Sequence, residues 1–283
     1  MNKTLIILLA SVPLWMACSG ESETEKKEVV VEEKTENPGI IYNIPSPAEQ
    51  FDIISSLDGI KDIKLVNNPN KKYEGSSLKA LNFGVYTADI AYLTAYKETS
   101  KYLNYFSSLE KLSNDLGVTD VFTKELGDLA KNWTGNPDSL FKLSDQTYSK
   151  SFQKLIDIEK GNELSLMLAG GWIESMNLII GTSKGFGKSP QIDKIIVDQK
   201  LVIENLIGFM IDYQDNSEVK SYGDKLGTIL DLYNTMDCNK AETKVSKSNG
   251  KISLSGGDSC SLNQVTFDNL KAEINKLRTE IVK

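Results

Sequence analysis

Apolar positions along most of this chain recur every three to four residues, and Gly, Pro or Asn interrupts the pattern at intervals of a helix length. Ser46-Pro47-Ala48-Glu49 sets Ser at an N-cap, Pro at the first helical position and Glu third, as a capping box requires. Phe51, Ile54 and Leu57 follow at helical spacing, and Gly59 ends the turn. Long helices are expected over 76–96 (Leu78, Phe83, Tyr86, Ile90, Leu93), 100–116 with a stop at Gly117, and 119–133 with a stop at Gly135. Asn136-Pro137-Asp138 opens another that runs to about Lys160, and the more apolar 163–180 reads as a core helix. Pro190 opens 191–214, and 217–236 and 265–281 complete the set. Lys251-Ile-Ser-Leu-Ser255 breaks the helical period, so 244–257 is expected to be irregular or a short hairpin. The fold class is therefore all-α: a single multi-helix bundle of about eight helices with short connections and no internal repeat of fixed period.

The first eighteen residues follow a different pattern. Lys3 supplies a basic start, an apolar run begins at Leu5, and small Ala17 stands directly before Cys18. The run is too short for a stable membrane-spanning helix and reads as a secretory signal. A cysteine placed this way resembles the bacterial lipoprotein signal, in which the thiol is acylated and becomes the first mature residue. Trp15 and Met16 depart from the usual residues of that box. Residues 19–38 are polar and charged, cannot bury enough surface to order themselves, and read as a tether. Glu21, Glu23 and Glu25 resemble the acidic export signal of some outer-face lipoproteins, and a generic solvated linker fits them as well. The expected organisation is a signal over 1–17, an acylated Cys18 with a flexible acidic tether over 18–39, and a helical domain over 40–283. Such a domain of about 240 residues buries roughly 70–75% of its unfolded surface.

Composition narrows the function. The chain has 283 residues, a net charge of −7 and no histidine. Ser-His-Asp and Cys-His mechanisms are thereby excluded, and the commonest zinc, copper or nickel ligand is missing. Of 32 basic residues only Arg278 is arginine, and none form a basic cluster, so no nucleic-acid partner is expected. Neither a cofactor nor a metal site is expected; Asp212, Asp215 and Glu218 are too dispersed for a calcium loop. Beyond Cys18, Cys238 and Cys260 form an even pair. In an oxidising compartment they would close a loop worth roughly 3 kcal/mol; the alternative is two buried thiols.

Two stretches could carry binding chemistry. In 81–96, Asp89 stands in the middle of an apolar stripe lined by Tyr86, Tyr92 and Tyr96. A carboxylate there needs a partner: a ligand at the base of a pocket, or tyrosine hydroxyls or a helix N-terminus tying neighbouring helices together. Gly84, and Gly170-Gly171 before Trp172, mark close helix crossings, with Glu174 nearby as a second candidate. The segment 182–189 imitates a phosphate loop, but Thr182 replaces the first Gly and Pro190 interrupts the continuation. Asp138-Ser139-Leu140 fits the short Asp-Ser-aliphatic pattern of bacterial O-glycan acceptors and suits a helix start equally.

Ile44-Pro-Ser-Pro47, the run Lys79 to Tyr92, Leu109 to Gly117, and Ala169-Gly-Gly-Trp-Ile-Glu174 together resemble a family of uncharacterised helical lipoproteins of the Bacteroidetes group. That resemblance implies export, lipidation and a helical fold, and implies no activity. The expected protein is a non-enzymatic cell-envelope lipoprotein of the outer membrane, held there by its lipid anchor. Its domain would bind an extracellular ligand or an envelope protein, with Tyr86, Asp89, Tyr92, Tyr96, Trp172 and Glu174 as the candidate surface. A structural or assembly component with no small-molecule site is the alternative.

Overall fold

The computed structural model describes residues 44–55, 61–98, 101–122, 137–239, 244–248, 251–255 and 259–283. Among them are eight α-helices: α1 (Pro47–Ser55), α2 (Ser76–Ala95), α3 (Tyr102–Leu116), α4 (Pro137–Asp157), α5 (Gly161–Thr182), α6 (Pro190–Ile211), α7 (Ser217–Asn234) and α8 (Gln264–Ile281). The all-α class holds. The chain divides at Ile40/Ile41 into two units, and every described residue lies in the second. The signal expected over 1–17, Cys18 and the tether expected up to 39 lie outside the described residues, as do Leu57 and Gly59. Of the helix expected over 119–133, Thr119–Val121 is a 3-10 turn and residues 123–136 lie outside the description.

The helix ends follow their local chemistry. At α1 the capping box closes in both directions: Ser46 N–H donates to Glu49 Oε2 at 2.9 Å, and Glu49 N–H donates to Ser46 Oγ at 3.3 Å. Asn216 Oδ1 accepts from the N–H groups of Glu218 and Val219, and Asn263 Oδ1 accepts from Thr266 N–H. Gly117, at φ +79°, ends α3 in the left-handed conformation that glycine adopts without strain.

Helices α2 and α5 form the centre. Every residue from Ala80 to Thr94 is buried, and so is every residue from Leu164 to Ile180. Helices apolar on all sides bury all sides. By length and composition α5 could cross a membrane, but 89% of its apolar window is buried inside this fold, and it serves as a core helix. The two run in the same direction, since their pairings advance together: Leu81 with Gly170, Gly84 with Gly171, Asp89 with Glu174, Tyr96 with Thr182. A Cβ on Gly84 would stand 2.0 Å from the Met167 carbonyl, and one on Gly170 would stand 2.0 Å from the Leu81 carbonyl. Only glycine permits this approach, so the close crossing read from the sequence is present.

Helices α1, α3 and α4 cover α2, while α6, α7 and α8 form a second layer in which α8 rests on both α5 and α7. Each outer helix buries one stripe at three-to-four spacing: Ile192, Ile196, Ile203, Leu206 and Met210 on α6; Val219, Tyr222, Leu226, Ile229 and Tyr233 on α7; Phe267, Leu270, Ile274, Leu277 and Ile281 on α8. Between α7 and α8 the chain makes two antiparallel ribbons. The inner one, β2 (Lys244–Ser248) with β3 (Lys251–Ser255), is the hairpin that the sequence suggests. The outer one, β1 (Asp237–Asn239) with β4 (Ser259–Ser261), was not expected; it sets Cys238 opposite Cys260, and the two are joined as a disulfide with S–S 2.02 Å.

Candidate functional site

The irregular segment 61–75 lies across α2, and it occupies the groups singled out as a binding surface. Tyr92 Oη accepts from Asp62 N–H at 3.0 Å, and Tyr86 Oη donates to the Asn68 carbonyl at 2.9 Å. Asp89 Oδ2 accepts from Asn67 N–H at 3.1 Å. From α3, Tyr105 donates to the Asn67 carbonyl and Ser108 to that of Pro69; from α8, Arg278 Nη2 donates to the Leu65 carbonyl at 3.0 Å. Asn67 Nδ2 reaches Tyr73 Oη at 2.8 Å, and Lys61 pairs with Glu98 at the start of the segment. The chain's own peptide groups thus fill the place that the sequence reading left open between a ligand and a helix tie. Tyr96 lies apart from these bonds: its ring rests against Tyr92 at 4.7 Å, and its hydroxyl faces Thr182.

At the centre three ionisable groups meet. Asp89 and Glu174 have no exposed surface, and the Arg278 side chain is 18% exposed. The guanidinium grips Glu174 with both tines, Nε to Oε2 at 2.6 Å and Nη2 to Oε1 at 2.9 Å, a fork that lysine cannot make. Burial first, and the adjacent Glu174 carboxylate second, hold the Asp89 carboxyl well above the usual range, against the pull of Arg278 and Asn67 N–H. Burial pushes Glu174 up too, but Arg278, Asp89 and Asn177 all draw it back. Asp89 is therefore the acid of the pair, its protonated carboxyl set beside a Glu174 carboxylate charged against Arg278. Desolvation also raises the tyrosines around them, Tyr92 to about 12 and Tyr86 and Tyr105 further, so all stay neutral.

Two carboxyls that titrate apart are what acid–base chemistry uses, and nothing in the sequence spacing announced their meeting. Here both lie wholly inside the fold, facing Asn67, Arg278 and each other. The arrangement can hold the 61–75 segment and α8 onto the central helices; it offers a substrate no entry. Trp172 is not part of it. Two residues before Glu174, it faces away from the triad, and its Nε1–H donates to Gln199 Oε1 at 3.1 Å. Sequence reasoning missed Asn67, Tyr73, Tyr105 and Arg278. Arg278 carried a signal: one guanidinium in a lysine-rich chain marks a place that needs two parallel hydrogen bonds.

Open space lies elsewhere. A groove of about 440 Å³ runs between α6 and α7, lined among others by Met210, Ile211, Lys220, Gly223, Gly227 and Asp231. A Cβ on Gly223 or Gly227 would meet nothing within 4 Å. In the loop 182–189, Asp193 in the first turn of α6 accepts Gly187 N–H at 2.8 Å, so a carboxylate already occupies that donor. At Asp138-Ser139-Leu140, Leu140 is buried in the core while Ser139 is exposed. Among the described residues no group of three or more Cys, Asp or Glu side chains is placed to hold a metal. Comparison with protein-family models, with curated proteins and with solved structures finds no match to this chain.

Proposed function

We propose that this chain is a non-enzymatic lipoprotein of the outer membrane whose helical domain works by docking a helical protein partner in the groove between α6 and α7. The observation that carries this reading is the contrast between two sites. The tyrosine–aspartate stripe is filled by the chain's own 61–75 segment. The groove is open, and two glycines on its wall leave room for another backbone to approach. Lipidation at Cys18 and export by an acidic signal rest on the N-terminal pattern and on the likeness to Bacteroidetes-group envelope lipoproteins. The partner is a protein rather than a nucleic acid, in keeping with a net charge of −7.

Protease shaving of intact cells tests the anchoring, with Cys18→Ala as the comparison. Wild-type protein is expected in the membrane fraction and the variant is expected to lose membrane association. Release of the wild-type domain by external protease would place the partner outside the cell, and protection would place it in the periplasm. Membrane association that survives Cys18→Ala would overturn the lipoprotein reading.

A further inference from the structure

We infer that the occupant of the α6–α7 groove is a second copy of this chain, its α7 crossing the first antiparallel with the glycines face to face. This rests on the docking reading above and names the partner. Most helical glycines here answer to a neighbour within the chain. Gly84 and Gly170 face opposing backbone, Gly161 faces the Tyr213 ring and Gly181 faces Leu65. Gly223 and Gly227 face open space, although glycine inside a helix is unfavourable relative to alanine. Their four-residue spacing sets both on one face, at the distance that lets two helix backbones approach closely.

The stripe that contains them matches itself. Lys220, the adjacent pair Gly223 and Asp224, then Gly227 and Asp231 fall on one face of α7 and line the groove. The end at Lys220 is basic, the end at Asp231 is acidic, and the middle holds the two glycines with Asp224, whose charge Lys220 of the same copy offsets. A two-fold axis midway between the glycines brings Lys220 of each copy beside Asp231 of the other, as an isologous interface requires. Asp231 is exposed and makes no ion pair among the described residues, so it is free to accept the partner's lysine. Lys220 holds Asp224 at 2.7 Å on the same exposed face, where such a pair is weak and exchangeable. Ile211, 53% exposed at the rim, supplies apolar surface for the contact to cover.

The test places a photoreactive side chain at Thr228, which lines the groove, in the full-length protein in intact cells, and pairs it with the mass of the detergent-solubilised full chain. The expected result is an adduct at twice the protein's mass, reduced at least tenfold by Gly227→Leu and by Lys220→Glu, and restored when Lys220→Glu is combined with Asp231→Lys. The Cβ of Gly227→Leu meets no atom of its own chain within 4 Å, so its melting temperature should equal or exceed the wild type's; a fall would show that the loss of adduct came from misfolding. In that case the charge-exchange pair decides alone. An adduct with a different protein, or failure of the exchange to restore pairing, overturns the second-copy assignment and leaves the docking reading standing. No adduct of any kind overturns both.

Discussion

An aspartate that keeps its proton in the folded protein can be exchanged for asparagine at little cost. In Asp89→Asn the new amide would accept from Asn67 N–H with its oxygen and donate to Glu174 with its nitrogen, the same two groups that the acid faces. Asp89→Asn is therefore expected to lie within about 1 kcal/mol of wild type in urea unfolding at or below about pH 4, where the unfolded chain also keeps the proton. Asp89→Ala strands a buried N–H and a buried carboxylate and should cost about 2–4 kcal/mol. The pH dependence has a definite sign. A carboxyl raised by folding holds a proton that the unfolded chain gives up near pH 4, so its stabilising contribution is full below that pH and declines as pH rises toward the folded value. Relative to wild type, Asp89→Asn should gain stability as pH increases above about 4, by up to about 1.4 kcal/mol per pH unit; parallel curves would mean that Asp89 is ionised in the fold. At this scale the sequence was half legible. Asp89 and Glu174 stood out as carboxyls inside apolar helices, because burying charge demands a partner. The partners did not stand out, because Asn67 and Arg278 come from segments whose approach is decided by tertiary packing.

Along the helices, the same residue type does two opposite jobs. Gly84→Ala or Gly170→Ala would drive a methyl into opposing backbone at 2.0 Å, forcing the central helices apart at a cost of about 1–3 kcal/mol or more. Gly223→Ala or Gly227→Ala adds a methyl to open space and should stabilise the monomeric domain by about 0.5–1 kcal/mol each. Denaturant midpoints of the four variants check both halves, and destabilisation at 223 or 227 would reveal an intrachain contact. The sequence pattern marked where helices begin and end, since caps and periodicity are local: Ser46-Glu49, Pro190 and Gly117 each stand where their chemistry predicts. It separated less well the two roles of glycine, which depend on what lies across the gap. The β1–β4 ribbon also escaped, because three-residue strands carry almost no period and form only once residues 237 and 261 are brought together.

At the scale of the molecule, α8 is what closes the fold. Its Arg278 reaches both Glu174 on α5 and the Leu65 carbonyl, Asn82 of α2 donates to the Ile281 carbonyl at 2.9 Å, and Lys71 donates to that of Val282. These contacts join stretches one to two hundred residues apart, so each carries a loop-closure cost and cannot be read from any local window. The lone guanidinium has one more consequence. A protease that cuts only after arginine has a single target in the entire chain, and the bond after Arg278 lies in a hydrogen-bonded helix whose buried face is pressed against the core. Cleavage in native buffer must then proceed through opening of the last turn of α8, at a rate set by how often the Arg278 clasp lets go. The chain thus comes with its own stopwatch: one cut, and a direct reading of the free energy that keeps the backbone around Arg278 closed.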